Sequence, residues 1–245
     1  MITYQDIEYK QNLCLDLYLP KNGEFDLFVY FHGGGLVGGS KNNVEVFAKT
    51  LAKNNIATAS VEYRMYPNAK FPDFIKDCAY SIRWLKDNIK HYGKCNRIFV
   101  GGSSAGGYLS MMLCFDEKYL KEVRMLPTDI AGYIHNAGQP TAHFNVLKEF
   151  GIDSRRLIVD QTAPMYYVGL QEKYSPMLFI VSDNDMFARY EQTMLMVKTL
   201  EHFGHKDNVY LQVLHGGHCE HTYKVDENGE GVFGNIVNDF INKLN

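Results

Sequence analysis

Long uninterrupted runs of apolar residues are missing from this 245-residue chain. No stretch approaches the roughly eighteen consecutive apolar residues that indicate a membrane-spanning helix. The residues after Met1 also lack the basic segment and apolar core of a secretory signal peptide. We therefore expect a cytoplasmic protein that does not interact with a membrane.

Cysteine is sparse and scattered. None of the cysteines stands in C-x-x-C spacing, and the five positions are Cys14, Cys78, Cys95, Cys114 and Cys219. An odd number with such wide spacing argues against a disulfide framework and against a zinc cluster. We expect reduced thiols and neither a metal nor a cofactor.

An excess of charge of one sign is missing as well. The 25 basic and 28 acidic residues leave a formal net charge of -3, and neither sign forms a long block. Because nucleic-acid binding needs a basic patch, nucleic acid is not an expected partner.

Apolar residues at 46% and charged residues at 22% are ordinary for a globular enzyme. Without a linker or repeat, one domain over residues 1–245 is predicted.

The first half alternates apolar runs with segments of helical spacing. Continuous apolar runs predict strands at 27–31, 56–61 and 98–100, while helical spacing predicts helices over about 42–53 and 74–89. Two consecutive β-α-β units imply a parallel sheet with helices on both faces, an α/β fold.

Two further features complete the predicted fold. Residues 13–19 alternate apolar with other residues before a turn at 20–23, which predicts a hairpin with strand 27–31. The second half keeps the alternation less regularly. Its predicted strands are 130–134, 177–181 and 209–214, and its predicted helices are 190–203 and 235–244.

Residues 138–173 are irregular. They contain Pro140 and Pro164 and one short amphipathic piece at 143–150. We predict a small insertion near the mouth of a site, a reduced lid.

The apolar run that ends at Val100 breaks into glycines around two serines. Gly102-Ser103-Ser104-Ala105-Gly106 matches G-x-S-x-G, which places Ser104 on a tight strand-to-helix turn with its hydroxyl exposed. A shifted register would make Ser103 the nucleophile, with Ala105 in place of the last glycine. We prefer Ser104.

A serine hydroxyl needs an oxyanion hole as well as a base. Strand 27–31 ends in His32-Gly33-Gly34-Gly35, and consecutive glycines let backbone N–H groups turn towards a common point. We assign the hole to the amides of Gly34, Gly35 and Ala105.

The acid and the base should follow later strands. After strand 177–181 the turn offers Asp183 and Asp185, and we favour Asp185 because turn residues usually precede the acid. After strand 209–214, glycines allow a loop to present His218, with His215 as the less favoured alternative. His215, His218 and His221 could also suggest a metal site, but the intervening glycines disfavour a regular ligand-bearing helix.

Together these residues resemble the α/β-hydrolase superfamily, in the esterase and lipase branch similar to hormone-sensitive lipase. The order Ser104, Asp185, His218 matches the order of nucleophile, acid and histidine in that superfamily. Further motifs carry the likeness: Glu62-Tyr63-Arg64-Met65-Tyr66-Pro67, Phe71-Pro72-Asp73 and Trp84-Leu85. Glu62, where Asp is commoner, and Cys219, where an aromatic residue often stands, depart from the pattern. The resemblance implies an α/β-hydrolase fold.

The predicted activity is that of a serine carboxylesterase that hydrolyses small or short-chain acyl esters, acetyl esters among them, through an acyl-enzyme. Its partners would be an ester and water, and oligomeric state stays open. An amidase, formamidase or small peptidase would use the same triad. A non-enzymatic binding protein would be expected to have lost a triad member, and the sequence retains all three.

Overall fold

The computed structural model describes residues 1–244. Eight strands form one sheet: β1 (Ile2–Lys10), β2 (Leu13–Leu19), β3 (Glu24–Phe31), β4 (Ile56–Val61), β5 (Lys94–Ser103), β6 (Gly132–Asn136), β7 (Met177–Ser182) and β8 (Val209–Leu214). The α-helices are α1 (Glu45–Lys53), α2 (Asp73–Asn88), α3 (Ala105–Phe115), α4 (Lys118–Glu122), α5 (Phe144–Glu149), α6 (Arg189–His202) and α7 (Val232–Lys243).

The strand order is β1-β2-β4-β3-β5-β6-β7-β8. The pairs from β4 to β8 are parallel, and only the β1–β2 and β2–β4 pairs are antiparallel. The predicted mostly parallel sheet is confirmed. Helices α2, α3 and α6 pack on one face of it, and α1 and α7 pack on the other.

The predicted hairpin between residues 13–19 and 27–31 is wrong. Strand β2 pairs with β1 and with β4, so β4 separates it from β3. The hairpin of this region is β1–β2, which the sequence analysis missed because β1 is mostly exposed and has no apolar run. A turn over two residues that ends with Asn12 at φ 62° joins the strands.

Strand β3 shows why the central strands have continuous apolar runs. Leu27, Val29 and Phe31 belong to the core under one set of helices, and Phe28 and Tyr30 belong to the core under the other. A strand covered on both faces has no polar side, so alternation disappears from its sequence.

The carboxyl ends of the parallel strands bring the candidate site together. Three loops follow them: the glycine loop (32–39) after β3, the acid loop (183–188) after β7 and the histidine loop (215–222) after β8. The turn from β5 into α3 lies at the same edge because these strands run in the same direction. Every residue of α3 is buried, which explains why it shows no amphipathic pattern.

The segment 138–173 contains α5 and a 3₁₀ turn over Pro164–Tyr167. Its inner side is attached to α3, since the Tyr108 hydroxyl donates to the carbonyl of Thr162 at 2.7 Å. Its role as a lid stays a prediction. Among residues 1–244, no helix is both long enough and apolar enough to cross a membrane.

Candidate active site

Ser104 occupies the turn between β5 and α3 in a strained conformation. Its φ of 56° and ψ of -113° are rarely adopted by a residue with a side chain. The flanking glycines are required by close packing. A Cβ on Gly102 would lie 2.5 Å from the Gly106 carbonyl carbon, and one on Gly106 would lie 1.9 Å from the Phe31 oxygen. The G-x-S-x-G spacing is thus a steric requirement of the turn.

The structure brings the three predicted triad residues into one hydrogen-bonded chain. Ser104 Oγ lies 2.8 Å from His218 Nε2, and His218 Nδ1 lies 2.5 Å from Asp185 Oδ1. The Asp185 side chain is fully buried. With the Nδ1 proton donated to Asp185, Nε2 is the lone-pair nitrogen and accepts from the Ser104 hydroxyl.

Asp185 is held in its ionised form. Burial by itself would raise the pKa of its carboxyl group, but the hydrogen bond and charge of His218 oppose that effect. The amides of Met186 at 2.7 Å and Ser182 at 3.4 Å also donate to it. The net result is a pKa below the ordinary value for Asp. The acid is therefore a carboxylate at neutral pH.

The less favoured acid and base pair with each other. His215 Nδ1 lies 2.8 Å from Asp183 Oδ2, and the Gly216 amide donates to Asp183 Oδ1 at 3.1 Å. The His215 side chain is 95% exposed. This pair lies on the surface and has no hydrogen bond to Ser104.

The third histidine of the loop has a separate partner. His221 is buried, and its Nε2 lies 2.8 Å from Asn136 Oδ1. Burial lowers the pKa of His221 to about 4, so the ring is neutral at neutral pH. Within residues 1–244, no group of three or more His, Cys, Asp or Glu side chains is arranged to hold a metal ion.

Asn136 connects the nucleophile turn to the histidine loop, and the sequence analysis missed it. Its side-chain Nδ2 donates to Ser103 Oγ at 2.8 Å and to Thr222 Oγ1 at 3.0 Å. Its backbone carbonyl accepts the Ser104 N–H at 2.8 Å. The one signal available in the sequence was an amide residue just after a predicted apolar strand. The same network includes the Ser103 hydroxyl, which is buried and has no hydrogen bond to His218 in the described chain.

The glycine loop lies against Ser104, the candidate nucleophile. A Cβ on Gly33 would lie 3.2 Å from the Cβ of Ser104. Gly34 and Gly35 adopt φ values of 117° and 63°, and Ala105 is the first residue of α3, where the N–H has no intrahelical acceptor. In the described part of the chain, none of the three predicted oxyanion amides donates to a protein acceptor. Their convergence on one oxyanion stays a prediction.

Helix α5 is hydrogen-bonded to the glycine loop, a contact that the sequence spacing did not predict. The side-chain Nδ2 of Asn145 donates to the Gly35 carbonyl at 2.5 Å, and the backbone N–H of Asn145 donates to His143 Nδ1 at 3.2 Å. Glu149, at the end of α5, accepts from the Phe71 amide at 3.0 Å. The segment 138–173 is therefore attached to the loop that carries two of the predicted oxyanion donors.

The chain is similar to a protein family and to several known esterases. A model of the BD-FAE family matches residues 15–152, more than half of the chain. An arylesterase of Saccharolobus solfataricus is 29% identical over 72% of the chain. A probable isoprenylcysteine alpha-carbonyl methylesterase of Arabidopsis thaliana is 34% identical over 45% of it. The matched regions span 57% and 26% of the length of these two relatives.

Solved structures share the fold. Esterase B from Lactobacillus Rhamnosis superposes with a TM-score of 0.79 at 18% identity, over 99% of this chain and 85% of that one. A truncated carbohydrate esterase from gut microbiota gives 0.78 at 18% identity, over 100% and 96%. The predicted α/β-hydrolase fold is confirmed.

Proposed function

The chain belongs to the BD-FAE family, and from this premise and the geometry of the site we propose that it is a serine carboxylesterase. The observation that supports the proposal best is the continuous chain of hydrogen bonds from Asp185 through His218 to Ser104. The names of the two relatives, an arylesterase and a methylesterase, agree with ester hydrolysis.

In the first step, Ser104 Oγ attacks the ester carbonyl carbon while its proton passes to His218 Nε2. Asp185 holds the proton on Nδ1 and stabilises the imidazolium ion. The oxygen of the tetrahedral intermediate accepts hydrogen bonds from the amides of Gly34, Gly35 and Ala105. His218 then donates its proton to the departing alcohol, which leaves an acyl group on Ser104.

In the second step, water attacks the acyl carbon and its proton passes to His218. Collapse of the second tetrahedral intermediate releases the carboxylic acid, and His218 returns the proton to Ser104 Oγ. The proposed substrates are small or short-chain acyl esters, acetyl esters included. The only α-helix within the insertion is α5, with six residues, and so small a cover favours small substrates.

The decisive experiment replaces the nucleophile. Ser104→Ala should lower kcat for 4-nitrophenyl acetate by about 10³-fold or more, because the base then has no hydroxyl to activate. Initial rates measure the effect, and circular dichroism confirms that the variant folds.

Ser103→Ala is the matched control, since it removes the adjacent hydroxyl that bonds to Asn136. It should retain activity within about tenfold, the scale of one lost neutral hydrogen bond. An organophosphate ester should also label Ser104, as mass spectrometry of the peptide would show. Turnover by Ser104→Ala near the wild-type level would overturn the proposal.

The amidase and peptidase alternatives use the same residues and differ in the leaving group. A matched pair of a 4-nitrophenyl ester and a 4-nitroanilide separates them. We expect a higher kcat/KM for the ester, whereas a higher value for the anilide would reassign the activity. Wild-type protein that neither hydrolyses esters nor becomes labelled at Ser104 would indicate a binding protein.

A further inference from the structure

A cavity of about 740 Å³ lies between the acid loop and the insertion. One wall contains Met186, which directly follows Asp185. Phe144 also lines the cavity, and its ring lies 3.4 Å from the position of a Cβ on Gly35. The cavity is thus lined by a sequence neighbour of the candidate acid and by a packing neighbour of the glycine loop.

The charged groups of this cavity do not balance. Arg155, Arg156, Arg189 and Asp153 line it. Asp153 pairs with Arg155, with 2.6 Å between Oδ2 and Nη2. Within residues 1–244, Arg156 forms no ion pair, and neither does Arg189. Two positive charges therefore lack a direct ion pair in the described chain, and the longer-range attraction of Asp153 and Asp185 acts on Arg156 and Arg189, respectively.

Arg189 is the more unusual of the two because it is only 4% exposed. Its Nη1 donates to the Ala137 carbonyl at 2.6 Å, and its Nη2 lies 3.3 Å from Gln139 Oε1. Its Nε is buried from solvent and has no hydrogen-bond partner in the described chain. The candidate acid Asp185 is bonded to His218 instead. Burial lowers the pKa of Arg189 to about 10 although Asp185 attracts its guanidinium group electrostatically, so a carboxylate in direct contact would stabilise the buried charge.

We propose that this cavity binds a carboxylate group of the ester substrate, held by the guanidinium groups of Arg189 and Arg156. The inference rests on the proposed esterase activity and specifies its substrate class. A guanidinium group matches a carboxylate geometrically and forms charge-assisted hydrogen bonds with it. Phe144 and Met186 provide apolar contacts for the carbon chain that connects the carboxylate to the ester.

Two pairs of esters test this preference and show which side of the ester enters the cavity. In the acyl pair, the mono-4-nitrophenyl ester of adipic acid is compared with its primary amide analogue. In the alcohol pair, 4-carboxyphenyl acetate is compared with 4-carbamoylphenyl acetate. In one pair, kcat/KM should be at least about tenfold higher for the carboxylate than for the amide, and added salt should reduce this ratio.

Variants then connect the preference to the two arginines. Arg156→Gln should lower the carboxylate-to-amide ratio by about threefold, and Arg189→Gln by about tenfold or more, because the buried contact is less screened. Arg156 is exposed, so its variant keeps the test valid if Arg189→Gln fails to fold. Arg83→Gln removes an arginine on α2 that pairs with Asp87, and it should leave the ratio unchanged.

A ratio near one in both pairs would overturn the inference, and so would a preference that survives both arginine substitutions. Either result, with neutral esters still hydrolysed, would leave the esterase proposal standing. Absence of turnover for all four esters, together with an unlabelled Ser104, would instead overturn the proposed function.

Discussion

Two Asp–His pairs join the same two loops, and only one of them reaches the serine. In the buried pair, 2.5 Å separates Asp185 Oδ1 from His218 Nδ1. In the pair on the surface, 2.8 Å separates Asp183 Oδ2 from His215 Nδ1. The two pairs are similar in sequence spacing and in hydrogen-bond length. They differ in the burial of the carboxylate and in the contact from the histidine to Ser104.

The difference follows from the surroundings of each carboxylate. Asp183 is 47% exposed, so water screens its attraction to His215 and competes for its hydrogen bonds. The Asp185 side chain is fully buried, so the same interaction acts in a medium of lower dielectric constant. The comparison shows that an acid becomes a catalytic candidate through its burial and its orientation.

The strongest test exchanges each carboxylate for an amide. Asp185→Asn should lower kcat by about 10³- to 10⁴-fold, because an amide can donate to His218 Nδ1 and favour the wrong tautomer. Asp183→Asn is the matched control and should stay within about twofold, as expected for an exposed pair. Initial ester hydrolysis rates at neutral pH measure both. A larger loss with Asp183→Asn would exchange the roles of the two pairs.

A second test removes the hydrogen bonds that Asn136 makes to Ser103 and to the histidine loop. Asn136→Ala should lower kcat by about 10- to 100-fold and the free energy of unfolding by about 1–3 kcal/mol, because it leaves His221 and Ser103 with unpaired buried groups. Urea denaturation and kinetics measure the two effects.

The control for this variant is Asn88→Ala, which removes an amide that donates to Trp84 on α2. It should lower stability by about 1 kcal/mol and leave kcat unchanged. If Asn136→Ala kept kcat within about twofold, the network would have no part in positioning His218.

The smallest expected effect concerns proton binding. The hydrogen bond and charge of Asp183 raise the pKa of His215 above 6.5, whereas burial lowers the pKa of His221 to about 4. NMR titration of the ring protons should therefore give midpoints on opposite sides of 6.5. Midpoints on the same side would contradict the comparison between the buried and the exposed region.

The two shifts have opposite consequences for stability. Between about pH 6.5 and pH 4, the unfolded chain binds a proton at His221 that the folded chain does not, so the free energy of unfolding falls as pH falls. His221→Gln should reduce that slope by up to about 1.4 kcal/mol per pH unit, measured by urea denaturation at pH 7 and pH 5.

The stabilising contribution of His215 is present below pH 6.5 and is lost as pH rises through its raised pKa. His215→Gln is the exposed control and should leave the slope nearly unchanged.

The parts of the fold that sequence analysis predicted are those with local causes. The parallel sheet follows from continuous apolar runs, and the position of Ser104 follows from glycines that the turn requires. Strand β1 was missed because its exposed residues carry no apolar pattern, and the wrong hairpin followed from that omission. Asn136 and Asn145 were missed because their partners are distant in the sequence. Thr222 is 86 positions from Asn136 and Gly35 is 110 positions from Asn145, separations that no local pattern records.

The sequence by itself determined the order of the candidate nucleophile, acid and base, and it limited the acid and the base to two positions each. Both Asp183 and Asp185 follow the same strand, and both His215 and His218 follow the next one along the chain. Only the tertiary structure decided between them. It buries the Asp185 side chain in contact with His218 and leaves Asp183 and His215 exposed, because the parallel strands β5 to β8 bring the Ser104 turn, Asn136 and the two loops to one edge of the sheet.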